Sequence, residues 1–98
     1  MYIYRTISYA KPGKLAELIP LARKRFGRLP EAAHLRLMVA ATGPEAASTL
    51  VAEFEIESYD AFVAAAAKEE SIAEAQAVVR QWDELLLRST THELYRLL

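Results

Sequence analysis

The chain has no cysteine, only three glycines, and no excess of charge of either sign, with 12 basic against 13 acidic side chains. Each lack excludes something. Without cysteine no disulfide can staple the fold, and no Cys/His set exists for a structural zinc. Three scattered glycines leave no glycine-rich loop to cradle a phosphate, so no nucleotide cofactor is expected. A formal net charge of −1 argues against a nucleic-acid partner, which would want a basic face. No apolar run reaches the roughly 18 residues of a membrane span, and no signal peptide precedes Tyr2. The expected location is therefore cytoplasmic, with no membrane partner.

What is present is a chain of 98 residues, 53% hydrophobic, which reads as one globular domain over 1–98. At this length folding buries only about 60–65% of the surface of the unfolded chain. A second copy could supply the missing burial. The charge is also unevenly placed. Residues 1–48 carry eight Lys/Arg and three Glu, and residues 49–98 carry four Lys/Arg and ten Asp/Glu. The halves should attract within the fold or across a dimer, the plainer reading being two solvated faces of opposite sign.

Residues 2–10 are rich in β-branched and aromatic types and predict a strand. Its facing is ambiguous: Ile3 and Ile7 share a face with Arg5, and Tyr2, Tyr4, Thr6 and Ser8 make the other. Lys11-Pro12-Gly13 is a turn. Leu15, Leu18, Ile19, Ala22 and Phe26 then form one helical stripe, with Arg23, Lys24 and Arg25 placed for solvent, a kink expected at Pro20 and a cap at Gly27.

Residues 34–42 and 49–57 alternate strictly and predict a hairpin. With Thr42 opposite Thr49, Leu37 faces Phe54 and Leu35 faces Ile56 on the core side. On the other side Met38 faces Glu53, Arg36 faces Glu55 and His34 faces Glu57. Ser58 caps a helix from Tyr59, and Ser71-Ile72-Ala73-Glu74 matches a capping box for a second helical piece. Ile72, Ala75, Val79, Trp82 and Leu86 line one face of that piece, which makes Trp82 core. A last strand lies within 87–98. The order β-α-β-β-α-β predicts a ferredoxin-like plait, an α+β fold with a four-stranded antiparallel sheet and helices on one face.

The uncovered face carries His34, Arg36, Met38, Ala40, Val51, Glu53 and Glu55, with Tyr2 and Tyr4 as further candidates. It is too apolar for solvent and too charged for a dry core. Such a face fits a sheet packed on its twin. Here the chain resembles the dimeric α+β barrel superfamily, and within it the NIPSNAP family. The resemblance covers nearly the whole length. It rests on Arg5-Thr6 in the first strand, on Lys11-Pro12-Gly13-Lys14, and on Glu53-Phe54-Glu55 passing into Ser58-Tyr59-Asp60. The stretch between Arg5 and Pro12 departs from it by one extra residue.

The resemblance implies two plaits pressed sheet to sheet into a barrel, with a cavity between sheet and helices or inside the barrel. It implies no reaction. The superfamily spans cofactor-independent monooxygenases, haem-degrading enzymes, isomerases and dehydratases, and an enzyme here would be monooxygenase-like or isomerase-like. The chain has no asparagine, the residue that the superfamily's monooxygenases resemble one another in using, and both histidines fall on expected strands rather than on a helix that could offer a haem ligand. No cofactor is expected.

Six residues are candidates for a cavity or interface: Tyr4, His34, Arg36, Met38, Glu53 and His92. His34 has the intrinsic pKa of a general base, its plainer role being a strand-end partner of Glu57. His92 could point into a cavity beside Arg36 or Glu53, its plainer role being a half-buried histidine with a backbone partner. Arg36 could clamp a carboxylate, and Glu53 could take a proton if burial raised its pKa. Their plainer role is an ion-pair ladder that sets dimer register. Tyr4 could donate to a substrate oxygen or fill an interface. Arg5 is a surface or interface residue, or a buried one paired with a C-terminal carboxylate. Lys24, Arg25 and Arg28 read as a solvated helix end. No metal site is expected, because Glu53, Glu55 and Glu57 alternate along one face as a charged ladder. Two functions fit: a protein that binds or converts a small, mostly apolar organic molecule, or a non-catalytic homodimeric assembly module.

Overall fold

The architecture, seen in a computed structural model that describes all residues 1–98, follows from these patterns. Strand β1 is Tyr2–Tyr9, β2 is Arg36–Val39, β3 is Thr49–Ile56 and β4 is Thr91–Arg96. They form one antiparallel sheet in the order β2-β3-β1-β4, the ferredoxin-like order. Helices α1 (Leu15–Phe26), α2 (Tyr59–Glu70) and α3 (Ala73–Leu85) supply the second layer. Gly13, at φ +75°, lets the chain turn from β1 into α1, a backbone region that side chains with a Cβ rarely adopt. Helix α1 continues through Pro20, which lies on its exposed side and lacks only the donor to Ala16. Gly27 closes it, donating to the Arg23 carbonyl at 2.9 Å.

The core sits between the helices and one face of the sheet. Leu50, Ala52, Phe54 and Ile56 of β3 meet Leu18, Leu21, Ala22 and Phe26 of α1, Phe62 of α2, and Val78 and Trp82 of α3. On β1 that face carries Tyr4, Thr6 and Ser8. This settles the facing of the first strand: Thr6 and Ser8 are buried, and Tyr4 packs against the core. The open face takes Ile3, Arg5 and Ile7. Tyr4 is therefore not on the uncovered face expected for it.

Three local expectations are corrected. The hairpin pairs Arg36 with Glu53, Leu37 with Ala52 and Met38 with Val51, two residues away from the expected register. The connection takes up those two residues: Ala40 donates to Thr49, Gly43 turns at φ +112°, and Ala46–Ser48 wind into a 3-10 turn. A shift of two keeps every side chain on its face. His34 lies on no strand; it ends a 3-10 turn, Pro30–His34, begun by Pro30, and it is exposed. Ser71 is not the N-cap of α3. It closes α2, its hydroxyl donating to the Lys68 carbonyl at 2.6 Å, and Ile72 takes the N-cap position without a side-chain bond. Ser58 does cap α2, accepting from the Ala61 N–H at 3.2 Å.

The oppositely charged halves meet within the fold. Arg25 pairs with Glu70, Arg28 with Glu74, Arg5 with Glu53 and Glu93, Arg36 with Glu53, and Arg88 with Glu45. Only the Lys14–Glu17 pair is local in sequence.

Candidate functional site

The sheet divides the candidate residues between its two faces. Tyr4 and His92 lie on the helix side, and Arg36, Met38 and Glu53 lie on the open side. His92 thus shares no cavity with Arg36 or Glu53.

On the helix side is a cavity of about 640 Å³. Its walls are aromatic and aliphatic: Tyr4, Phe26, Tyr59, Phe62, Trp82 and Leu86. Tyr4 lines it for a simple reason. It is directly opposite Phe54 on β3, and a ring at that position reaches across to α2, with Phe62 at 5.0 Å and Tyr59 at 6.0 Å between centroids. His92 is opposite Thr6, one step diagonally from Tyr4 on the neighbouring strand. The two rings lie nearly parallel, and Tyr4 Oη and His92 Nδ1 are 2.5 Å apart. Burial pushes the Tyr4 phenol up from its ordinary value, and the neighbouring Tyr59 adds to the shift. The phenol therefore keeps its proton at neutral pH. A phenol and an imidazole sharing one proton can orient a bound oxygen and relay a proton to it. Thr6, Ser89 and Thr90 add neutral polar groups beside His92, with Thr90 and Ser8 joined at 3.0 Å.

The mouth of the cavity is charged, with Arg25, Arg28, Glu69, Glu70 and Asp83. Arg25 was expected in solvent. Instead its guanidinium lies over the faces of Trp82, at 5.4 Å, and Phe26, at 5.7 Å, and bonds Glu70 at 2.9 Å. The signal was present: Arg25 is seven residues from Leu18 and three from Ala22, on the stripe that faces the core. Trp82 has the core place expected of it, but nothing in the spacing of Tyr59, Phe62 and Trp82 showed that they enclose space.

On the open face, Glu53 sits between two arginines. Arg5 donates from Nε at 3.1 Å and Nη2 at 2.9 Å, and Arg36 donates to the other carboxylate oxygen. Glu53 is only 6% exposed. Burial alone would push its carboxyl up; the bonds from Arg5 and Arg36 outweigh it and hold the carboxyl below its ordinary range. This is the reverse of what a general base near neutrality needs. Arg5 also reaches Glu93 at 3.6 Å and lies over Tyr95 at 5.2 Å. The register makes Arg36, Glu53, Arg5 and Glu93 one row across all four strands, alternating in sign. Met38 is on the same face, one row along. His34 adjoins a smaller cavity of about 240 Å³ with Ile3, Arg36, Glu53 and Glu55; Glu57, its expected partner, is not part of it.

No protein-family model and no curated protein matches the chain. Solved structures do. A NIPSNAP family protein from Agrobacterium tumefaciens superposes with a TM-score of 0.80 at 18% identity, over 97% of this chain and 90% of that one. A NIPSNAP domain protein from Burkholderia xenovorans gives 0.77 at 14% identity, over 100% and 95%. A structure described as an antibiotic biosynthesis monooxygenase gives 0.70 at 15% identity, over 100% and 99%. Along nearly its whole length, the chain shares its fold with proteins of the NIPSNAP family.

Proposed function

We propose that this chain is a NIPSNAP-like homodimer that binds a small, largely apolar organic molecule in the cavity between the sheet and helices α2 and α3. The observation that carries the reading is the Tyr4–His92 pair, a hydrogen-bonded phenol and imidazole beside the aromatic rings of the cavity wall. Apolar walls with a few convergent polar groups are the usual make-up of a ligand site. The pair would seat one hydroxyl or carbonyl oxygen of the ligand, and could move a proton on it, the step an isomerase-like reaction needs.

A second reading, a non-catalytic assembly module, is favoured by one observation: the open face carries a charge row of alternating sign that is complementary to the same row on a second copy. The test separates the two. Isotope-labelled protein is titrated with 2-naphthol and followed by NMR. Binding in the cavity shifts Tyr4, Tyr59, Phe62, Trp82 and His92, and Tyr4→Phe weakens it by about three- to tenfold, the worth of one hydrogen bond. No shifts, or shifts confined to Arg36, Met38 and Glu53, would leave the assembly reading in place.

A further inference from the structure

The charged mouth of the cavity narrows the ligand class. Arg25 presents two donors on one edge of its guanidinium, Nε and Nη2. Glu70 takes Nη2 only, at 2.9 Å. The Nε–H is buried and has no partner. A donor left in that state is costly, and arginine forks are normally used two donors at a time when they meet a carboxylate. The other side of the group is fixed, because the guanidinium is stacked on Trp82 and Phe26. Glu70, by contrast, has a side chain 47% exposed at the end of α2. An exposed pair of this kind contributes little, so exchanging Glu70 for another carboxylate costs little.

We propose that the ligand is an aromatic carboxylate whose acid group takes both Nε and Nη2 of Arg25 in place of Glu70. Its ring system lies against Trp82, Phe62 and Tyr59, and its far end reaches Tyr4 and His92. Glu69 and Asp83 also line the mouth and repel an acid group elsewhere along it. Arg28, the other cation there, is held by Glu74 at 3.2 Å and has no unpartnered donor enclosed in the wall. Arg25 is the seat the geometry assigns.

This inference rests on the cavity reading, and the experiment keeps their failures apart. The probes are 6-hydroxy-2-naphthoate and its neutral primary amide, which have nearly the same shape. Trp82 is the single tryptophan, so its one indole N–H resonance reports occupancy. The acid should bind at least about tenfold more tightly than the amide, about 1.4 kcal/mol. Glu70→Gln, which removes the competing carboxylate from an exposed site, should tighten the acid severalfold and leave the amide unchanged. Arg25→Lys keeps the charge but loses the fork, and should erase most of the preference. Equal binding of acid and amide would overturn the inference with the cavity reading standing. So would an acid-to-amide ratio unmoved by Glu70→Gln. Failure of both probes to shift Trp82 would overturn the two together.

Discussion

Glu53 shows how a single carboxylate can decide the pH response of a fold. Burial opposes its charge, but two arginines outweigh burial, so its folded pKa lies below its unfolded one. A depressed acid stabilises the fold at all pH values above its unfolded pKa, and that contribution is lost as pH falls through the folded pKa. Glu53→Gln should therefore destabilise the protein at pH 7 by about 1–2 kcal/mol, less than a fully buried pair because Arg36 remains open to water. The gap between wild type and variant should begin to narrow once pH drops below the ordinary carboxylate value of about 4, and should close only as pH falls through the lower folded pKa. Urea unfolding at pH 7 and at pH 3 measures both; a gap as large at pH 3 as at pH 7 would refute the ion-pair account. That Arg36 and Glu53 share a polar face was legible in the alternating hairpin; that they stand opposite one another was not, since the expected register set Arg36 against Glu55. Arg5 was not legible as the second partner, because it stands between two isoleucines that look like core. Only the assembled sheet puts it beside Glu53 on a face with no helices.

Among the helices, α2 is the one most weakly tied to the body. Of its 12 residues only Phe62 is buried, and Val63 and Tyr59 are exposed. It depends on local devices more than α1 or α3 does, above all on the Ser58 cap. Ser58→Ala should cost about 1 kcal/mol and raise amide exchange at the start of α2. Ser71→Ala should leave the start of α3 unchanged, because Ser71 bonds backward to Lys68. Amide exchange of both variants checks this; equal loosening of α3 in Ser71→Ala would restore the capping-box reading. The two serines also mark what a sequence can carry. A cap signal identifies a helix boundary, but at Ser71, where only two residues separate one helix from the next, the same hydroxyl can serve either. Strict alternation likewise fixed which hairpin residues share a face. It could not fix register, because the 3-10 turn at Ala46–Ser48 carries no period. The cavity was the least legible feature: it is a gap left by packing, and no residue pattern encodes a gap.

For the molecule as a whole, the open face of the sheet is the feature that needs an occupant. Its central row alternates Arg36, Glu53, Arg5, Glu93, and the rows on either side add apolar residues: Met38, Val51 and Ile7 beside Thr91 on one, Ile3 and Tyr95 beside Glu55 on the other. Met38 and Tyr95 are 39% and 46% exposed. A row of alternating sign is self-complementary when turned about a two-fold axis, so the same face on a second copy offers a cation to each anion and apolar rows to apolar rows. One layer of helices on a four-stranded sheet also leaves a chain this short with little core to spare. The protein should therefore weigh twice 11.0 kDa by light scattering, with that mass persisting into the low micromolar range. Met38→Lys should return it to 11.0 kDa with its circular dichroism intact, because Met38 is exposed and lies outside the core of its own chain. Arg36→Glu should do the same and more strongly, since it places like charge beside Glu53 as well as against the twin. A folded wild-type monomer across the dilution range would remove the homodimer, and the paired row would then be a device that neutralises an exposed sheet face within one chain.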